Sequence, residues 1–303
     1  MNRKSKTAFL FLALLVTTIG AREKVVYGED SRAEVYQHET PLYQEWGRSI
    51  AGMVEKSRFE KDLFLAQNEV RILSDDLPFS YCSDDPFAQQ QTAPICTGFL
   101  VGEDLLLTAG HCVEIPGEDA CRDYSWVFEL DEGKYLSHAG EEKGAIVKDS
   151  SVYECKEVVF YKLDGEEDFA IVKLDRPVDN RTPLDLRLEG AVSKRDPLVV
   201  IGHPLGLSQK VADNAYVRDI QEEYVFKANV DSFVGNSGSP VFNGNTGEVE
   251  GILVRGENDF VFDREKGCER VKNCAMDDCR GEDVMRIDYV MPYLQEVKSR
   301  AKK

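Results

Sequence analysis

Residues 96–112 have the sequence CTGFLVGEDLLLTAGHC, in which two short apolar runs flank Gly-Glu-Asp and a histidine stands between a glycine and a cysteine. Short apolar runs separated by turn-forming residues are typical of antiparallel strands. His111 therefore lies just beyond a predicted strand at 105–107. An imidazole titrates close to neutral pH, which suits a general base.

Two further segments carry groups that complement this histidine. The sequence DFAIVKL at 168–174 begins a predicted strand with Asp168, and GNSGSPVF at 235–242 places Ser237 in a glycine-flanked turn. A serine hydroxyl becomes a nucleophile when a base takes its proton, and a carboxylate orients that base. Glycine beside the serine lets backbone N–H groups converge on one spot, where they stabilise an oxyanion.

In the chain order His, Asp, Ser, these segments resemble the chymotrypsin/trypsin family of serine proteases. The GNSGSP form resembles its bacterial members, including the glutamyl endopeptidases, and GILVRG at 251–256 resembles the strand that lines the substrate cleft. The resemblance spans about residues 82–297. It implies an all-β fold of two antiparallel six-stranded β-barrels, an active site between them, and an oxyanion hole formed by the backbone N–H groups of Gly235 and Ser237.

The orienting carboxylate has competitors nearby in the sequence. Asp164 and Asp175 flank the segment, but Asp175 lies in Leu-Asp-Arg-Pro, which favours a turn, whereas Asp168 directly precedes the apolar strand. Asp168 is therefore the predicted partner of His111. Ser239, the second serine of its loop, is predicted to support the turn.

Substrate specificity is predicted from the loop before Ser237 and from the cleft strand. Asp231 lies six residues before Ser237, where an acid in the trypsin group binds Lys or Arg of the substrate, and a buried carboxylate favours a cation. Leu253 stands where the glutamyl endopeptidases have a histidine. Cleavage after Lys or Arg is the favoured prediction, with acidic and small or apolar preferences as alternatives.

Other residues are assigned to the substrate cleft or its neighbourhood. The predicted cleft-lining residues are Val254, Arg255 and Gly256. Arg255 either meets an acidic substrate or pairs with Glu257 at the surface. Glu282 and Asp283 are predicted to be solvated loop charges.

The N-terminal residues have a different character from the rest. Residues 1–21 combine a basic start, a short apolar run and a small-residue end, which is typical of a secretory signal peptide cut near Ala21. Residues 22–79 contain no cysteine, and helical spacing of apolar residues predicts an amphipathic helix from Thr40 to about Lys61. This region is interpreted as an extension packed on the main domain or as a removable pro-segment.

The remaining chain is divided into two β units. Residues 80–178 form the predicted first barrel, with His111 and Asp168, and residues 179–303 contain a polar linker, the second barrel with Ser237 and a short closing helix at 289–297. The strands are predicted at 98–101, 105–107, 126–130, 158–161, 170–174, 198–201, 226–230, 241–242 and 251–254.

Charge and cysteine content narrow the function classes. The net charge of −18 argues against a nucleic-acid binder, because phosphate would be repelled. Eight cysteines in an exported chain predict disulfides, and the resemblance implies a pair between Cys96 and Cys112. Zinc at Cys268, Cys274 and Cys279 is disfavoured by their spacing.

The predicted protein is therefore a secreted, monomeric serine endopeptidase that acts on protein or peptide substrates. No cofactor, metal, nucleic acid or, after signal removal, membrane is expected to take part. Two alternatives remain: a catalytically silent family member that acts as a binding protein, and a narrow-specificity protease or esterase with an acidic preference.

Overall fold

A computed structural model describes residues 25–59, 71–72, 81–130 and 149–300, so the predicted signal peptide lies outside the described residues. The helices are α1 (Pro41–Gly47), α2 (Ala120–Asp123) and α3 (Ile287–Arg300). The strands are β1 (Val26–Tyr27), β2 (Ala33–Glu34), β3 (Ile50–Glu55), β4 (Arg71–Ile72), β5 (Gln91–Thr92), β6 (Cys96–Leu100), β7 (Leu105–Thr108), β8 (Tyr124–Phe128), β9 (Val152–Asp164), β10 (Glu167–Leu174), β11 (Pro197–Gly202), β12 (Lys210–Asp219), β13 (Val225–Ala228), β14 (Pro240–Asn243), β15 (Val249–Arg255), β16 (Phe260–Asp263), β17 (Cys268–Val271), β18 (Asn273–Cys274) and β19 (Glu282–Arg286).

Six of the described strands close the first barrel in the order β10-β7-β6-β3-β8-β9, with antiparallel neighbours throughout. The side chains of Phe99, Leu107, Trp126 and Ile171 are fully or almost fully buried. Each of the predicted strands at 98–101, 105–107, 126–130, 158–161 and 170–174 overlaps a strand of this barrel.

The second barrel has the order β11-β14-β15-β19-β13-β12 and closes through a pairing between β11 and β12, while β2 adds to the outer edge of β12. The all-β prediction of two six-stranded barrels is thus confirmed among the residues described. The strand β12 was absent from the prediction, because charged and polar residues interrupt its apolar run.

Residues 22–79 differ from their predicted structure. The helix α1 ends at Gly47, and β3 then supplies a strand of the first barrel, so both the predicted helix to Lys61 and the barrel boundary at residue 80 are corrected. Residues 50–54 are all buried, as expected for a strand covered on both faces. A continuous apolar run also contains apolar residues three and four positions apart, so it fits the helical pattern although the segment is a strand.

The described part of the N-terminal region also packs on the second barrel. The strand β1 pairs in parallel with β18, β2 pairs with β12, and the indole of Trp46 stacks on the ring of Phe242 at a centroid distance of 4.4 Å. The described N-terminal residues therefore contact the second barrel through β2 and Trp46 and enter the first barrel through β3.

The eight cysteines form four disulfides. Cys96 is bonded to Cys112, as the resemblance implied, and the other pairs are Cys82–Cys268, Cys121–Cys155 and Cys274–Cys279. Cys268, Cys274 and Cys279 are therefore all disulfide-bonded.

The C-terminal helix α3 extends the predicted helix at both ends. Its buried side chains, Ile287, Val290, Leu294 and Val297, lie three or four residues apart and form one face against the core. No helix within the described ranges has the length and apolar character needed to cross a membrane.

Candidate active site

The ends of two paired strands bring His111 and Asp168 together. The strand β7 runs antiparallel to β10 with Thr108 opposite Ala170, and this register carries Asp168 toward the single helical turn Gly110–Cys112. The Nδ1 atom of His111 lies 3.1 and 3.0 Å from the two carboxylate oxygens of Asp168, and the backbone N–H of His111 donates to Oδ1 at 3.0 Å. Asp168 is almost completely buried.

This contact determines which imidazole nitrogen carries the proton. An ionised carboxylate only accepts hydrogen bonds, so the Nδ1 atom of His111 is the donor and the Nε2 atom is left as an acceptor. The arrangement orients the ring and stabilises its cationic form. His111 and Asp168 thus have the geometry of a base and its orienting acid.

The competing acid Asp175 lies away from His111. It follows the far end of β10, seven residues and therefore about 24 Å along an extended chain from Asp168. Its carboxylate accepts from the backbone N–H of Glu154 at 3.0 Å and pairs with Arg176. Asp175 consequently belongs to the other end of the barrel.

The loop that carries Ser237 packs directly against the segment around His111. Gly235 and Gly238 have φ angles of +92° and +89°, which favour glycine. A Cβ atom on Gly238 would overlap the carbonyl oxygen of Thr97 and the hydroxyl of Thr108. The carbonyl oxygen of Ser237 lies 3.6 Å from the Sγ atom of Cys112, the residue after His111. The two loops are thus in contact.

The amides of this loop fall into two groups. Those of Asn236, Gly238 and Ser239 donate to Phe233, Leu253 and Asn236, respectively. Among the residues described, the amides of Gly235 and Ser237 donate to no acceptor. These two N–H groups are therefore available to an oxygen atom of a bound substrate.

Thr97 is a site residue that the sequence did not indicate. Its hydroxyl donates to the carbonyl of Gly235 at 2.9 Å and accepts from the backbone N–H of His203 at 3.1 Å. Its backbone N–H donates to the carbonyl of Ser237 at 2.8 Å. Thr97 thereby joins the first barrel to the serine loop. In the sequence, only the position of Thr97 beside Cys96 could have suggested this role.

Asp231 has partners from a distant part of the chain. One carboxylate oxygen accepts from the backbone N–H of Tyr27 at 2.6 Å, and the other accepts from the N–H and hydroxyl of Ser31 at 2.8 and 2.7 Å. Burial raises the pKa of Asp231 to about 6, against the lowering effect of these hydrogen bonds. Both oxygens therefore hold the N-terminal segment, which the assignment of Asp231 to substrate binding did not foresee.

This raised pKa predicts a pH-dependent stability. A carboxyl group whose pKa is raised in the folded protein makes its full contribution to stability at low pH. This contribution is lost as the pH rises through about 6. An Asp231→Asn variant does not titrate there. Between pH 4 and 7, the wild type is expected to lose about 2 to 3 kcal/mol of unfolding free energy relative to this variant. Urea unfolding of both proteins across that range measures the difference, and parallel pH profiles would contradict the prediction.

Of the three residues assigned to the substrate cleft, Val254 and Arg255 lie on β15, and Gly256 follows it directly. Val254 is buried, and a Cβ atom on Gly256 would overlap the carboxylate of Glu282. Arg255 donates from Nη1 and Nη2 to the carbonyls of Gly165 and Glu166, each at 3.0 Å. Of the two alternatives predicted for Arg255, pairing with Glu257 is not among its contacts with the described residues, which reach the turn between β9 and β10 instead.

Glu282 and Asp283 are buried in β19, which corrects their prediction as solvated loop charges. Asp283 forms ion pairs with Lys227, Arg280 and Arg255, which offset the cost of burying its charge. Glu282 accepts from the Tyr27 hydroxyl at 3.4 Å. The cleft strand is thus bordered by buried acids.

The chain is similar to known proteins both in sequence and in fold. The family model of the trypsin-like peptidase domain matches residues 96–252, about half of the chain, which includes His111, Asp168 and Ser237. Among solved structures, the fold is similar to one described as a Glu endopeptidase in complex with MPD. That similarity has a TM-score of 0.51 at 18% sequence identity and covers 91% of this chain and 100% of the other.

Proposed function

The chain belongs to the trypsin-like peptidase family and is a serine endopeptidase, and we propose that Ser237, His111 and Asp168 are its catalytic residues. The observation that carries the assignment is the buried Asp168 carboxylate, which binds both the backbone N–H and the Nδ1 atom of His111 beside the Ser237 loop. A histidine held in this way has a defined tautomer, with Nε2 as the acceptor nitrogen.

The proposed reaction proceeds in two halves. The hydroxyl oxygen of Ser237 attacks the scissile carbonyl carbon while the Nε2 atom of His111 takes its proton. The amides of Gly235 and Ser237 stabilise the oxyanion of the tetrahedral intermediate. The protonated His111 then gives its proton to the leaving amine, so that the C–N bond breaks and an acyl-enzyme forms.

Water completes the cycle by the same route. His111 takes a proton from the water as its oxygen attacks the ester carbon, and then returns this proton to the Ser237 oxygen as the acyl group leaves. Asp168 remains ionised and stabilises the imidazolium in both halves. The proposed substrates are therefore peptide bonds in proteins or peptides.

For specificity, the proposal is cleavage after Lys or Arg. The support is the Glu282 carboxylate, which lies against Gly256, the residue that follows β15. Asp231 adds none, because both of its oxygens already bind the N-terminal segment. An acidic preference has less support, although the similar solved structure is described as a Glu endopeptidase. Arg255, the cation available for an acidic side chain, already contacts two carbonyls and Asp283.

A panel of fluorogenic peptides that differ only in the residue before the cut tests this proposal. Cleavage after Arg is expected to be roughly 10- to 100-fold faster in kcat/KM than cleavage after Glu, since a charge-assisted hydrogen bond favours the cation. The Ser237→Ala variant supplies the background rate. Faster cleavage after Glu would reverse the preference. Probe labelling without turnover of any peptide would indicate a narrower substrate range.

The proposal also covers export and maturation. Four disulfides are consistent with an oxidising, extracellular location, and removal of the signal peptide near Ala21 is proposed. The strands β1, β2 and β3 are proposed to remain in the mature enzyme, because β3 closes the first barrel. N-terminal sequencing of the secreted protein identifies its first residue.

A further inference from the structure

The proposed catalytic residues come from two barrels, so their alignment depends on contacts between the barrels. His111 and Asp168 lie on the first barrel, and Ser237 lies on the second. The side chain of Arg255 extends from β15 of the second barrel to the turn between β9 and β10 of the first. Its guanidinium group is therefore one of the links across the cleft.

One end of this link is joined to the Ser237 loop. The carbonyl of Leu253 accepts from the N–H of Gly238 at 2.7 Å, and the N–H of Leu253 donates to the carbonyl of Ser239 at 2.9 Å. Leu253 and Arg255 are two residues apart on the same strand, about 7 Å along an extended chain. The position of Arg255 is thus tied to the residues that immediately follow Ser237.

The other end is joined to the turn that leads into Asp168. Gly165 and Glu166 are the two residues between the paired positions Asp164 and Glu167, and both of their carbonyls accept from Arg255. Asp168 follows two residues later. A planar guanidinium that donates to two neighbouring carbonyls restrains both the position and the rotation of the turn.

The positive charge of Arg255 is paired with an acidic side chain of the protein itself. Its Nε atom forms an ion pair with Asp283 at 3.3 Å, and only 24% of its side chain is exposed. An arginine with its guanidinium engaged on both sides has little capacity to bind a carboxylate of the substrate. This disfavours the sequence-based assignment of Arg255 to substrate binding.

We propose that Arg255 is a positioning residue, which holds the β9–β10 turn against the cleft strand and so aligns Asp168 and His111 with Ser237. The inference rests on the proposed catalytic assignment and extends it. A small displacement of a catalytic group lowers the rate of the chemical step more than it lowers substrate binding. Loss of Arg255 should therefore appear in kcat rather than in KM.

The test compares Arg255→Ala and Arg255→Lys with the wild type on neutral and acidic peptide substrates. We expect Arg255→Ala to lower kcat by about 10- to 100-fold with less than about a 3-fold change in KM. Arg255→Lys should recover part of the loss, because an ammonium group can reach one carbonyl. The midpoint of the kcat/KM pH profile should fall by roughly half a unit in Arg255→Ala, because a displaced Asp168 stabilises the imidazolium less.

Arg176→Ala is the matched control. Arg176 also donates to a backbone carbonyl, that of Val152 at 2.7 Å, and pairs with an aspartate, but it lies within the first barrel away from His111. Its kcat should stay within about 3-fold of the wild type. The Arg255 variants should fold, because Glu167 also holds the turn through Lys162 and the Tyr289 hydroxyl.

Three results would overturn the inference. One is an unchanged kcat in Arg255→Ala, and another is a rise in KM confined to acidic substrates, which would make Arg255 a substrate ligand. The third is an Arg255→Lys variant that folds, has a kcat as low as that of Arg255→Ala, and shows the same pH profile as the wild type. A wild type that fails to react with a serine-directed probe would instead refute the catalytic assignment itself.

Discussion

Replacing Ser237 with alanine is expected to lower kcat for peptide hydrolysis by about 10⁴- to 10⁶-fold, since it removes the nucleophilic oxygen. The backbone contacts of Ser237 do not depend on its side chain. Its carbonyl still accepts from the N–H of Thr97, and Gly238 still packs on Thr108. The variant should therefore fold, with a free energy of unfolding within about 1 kcal/mol of the wild type.

Mass spectrometry after incubation with a fluorophosphonate probe measures this effect without a chosen substrate. The wild type should gain one probe adduct and Ser237→Ala should gain none. Ser239→Ala is the matched control, because Ser239 lies in the same loop and is fully buried, with its hydroxyl 3.4 Å from the amide oxygen of Asn236. Persistent labelling of Ser237→Ala, or loss of labelling only in Ser239→Ala, would contradict the assignment of the nucleophile.

Replacing Asp168 with asparagine is expected to lower kcat by about 10³- to 10⁴-fold near neutral pH. An asparagine has one acceptor oxygen where the carboxylate has two, and its NH₂ group would face the donors of His111. The ring is then held in the other tautomer, or rotates, so that Nε2 no longer accepts the proton of Ser237. Steady-state kinetics on the best peptide of the panel measure the loss.

Asp175→Asn is the control for this variant. It makes the same chemical change beyond the far end of β10, where the carboxylate contacts Glu154 and Arg176. Its kcat should remain within about 3-fold of the wild type. Equal losses in the two variants would show that the effect of Asp168→Asn comes from weakening the barrel, and would count against its role as the orienting acid.

The central features of the fold could be predicted because their signals are local. Turn residues separate the strands of residues 96–112, and the glycines around Ser237 occur where φ is positive or backbones approach closely. The strand β3 was mistaken for helix because a strand buried on both faces has no alternation, so its apolar run at 50–54 fits both periods. Its burial depends on neighbours that the local pattern does not contain.

The contacts of the residues around the cleft strand could not be predicted, because they join segments that are far apart in the sequence. Asp231 meets Tyr27 and Ser31 across about 200 positions of sequence, and Glu282 reaches Tyr27 and Gly256. A single sequence shows which residues are charged but not which distant partners surround them. The motif therefore anticipated the contact between His111 and Asp168, while the contacts of Asp231, Arg255 and Glu282 emerged only from the three-dimensional arrangement.

The closure of the second barrel by β19 has a consequence for the biosynthesis of the enzyme. The strand β19 pairs with both β13 and β15, and β15 carries the residues bonded to the Ser237 loop. A nascent chain that has not yet delivered residues 282–286 lacks a closed second barrel. The partners of β1 and β2, residues 273–274 and 210–211, also come from the C-terminal half. Closure of the second barrel, and with it the support that β15 gives to the Ser237 loop, is consequently expected only after residues 282–286 have been synthesised.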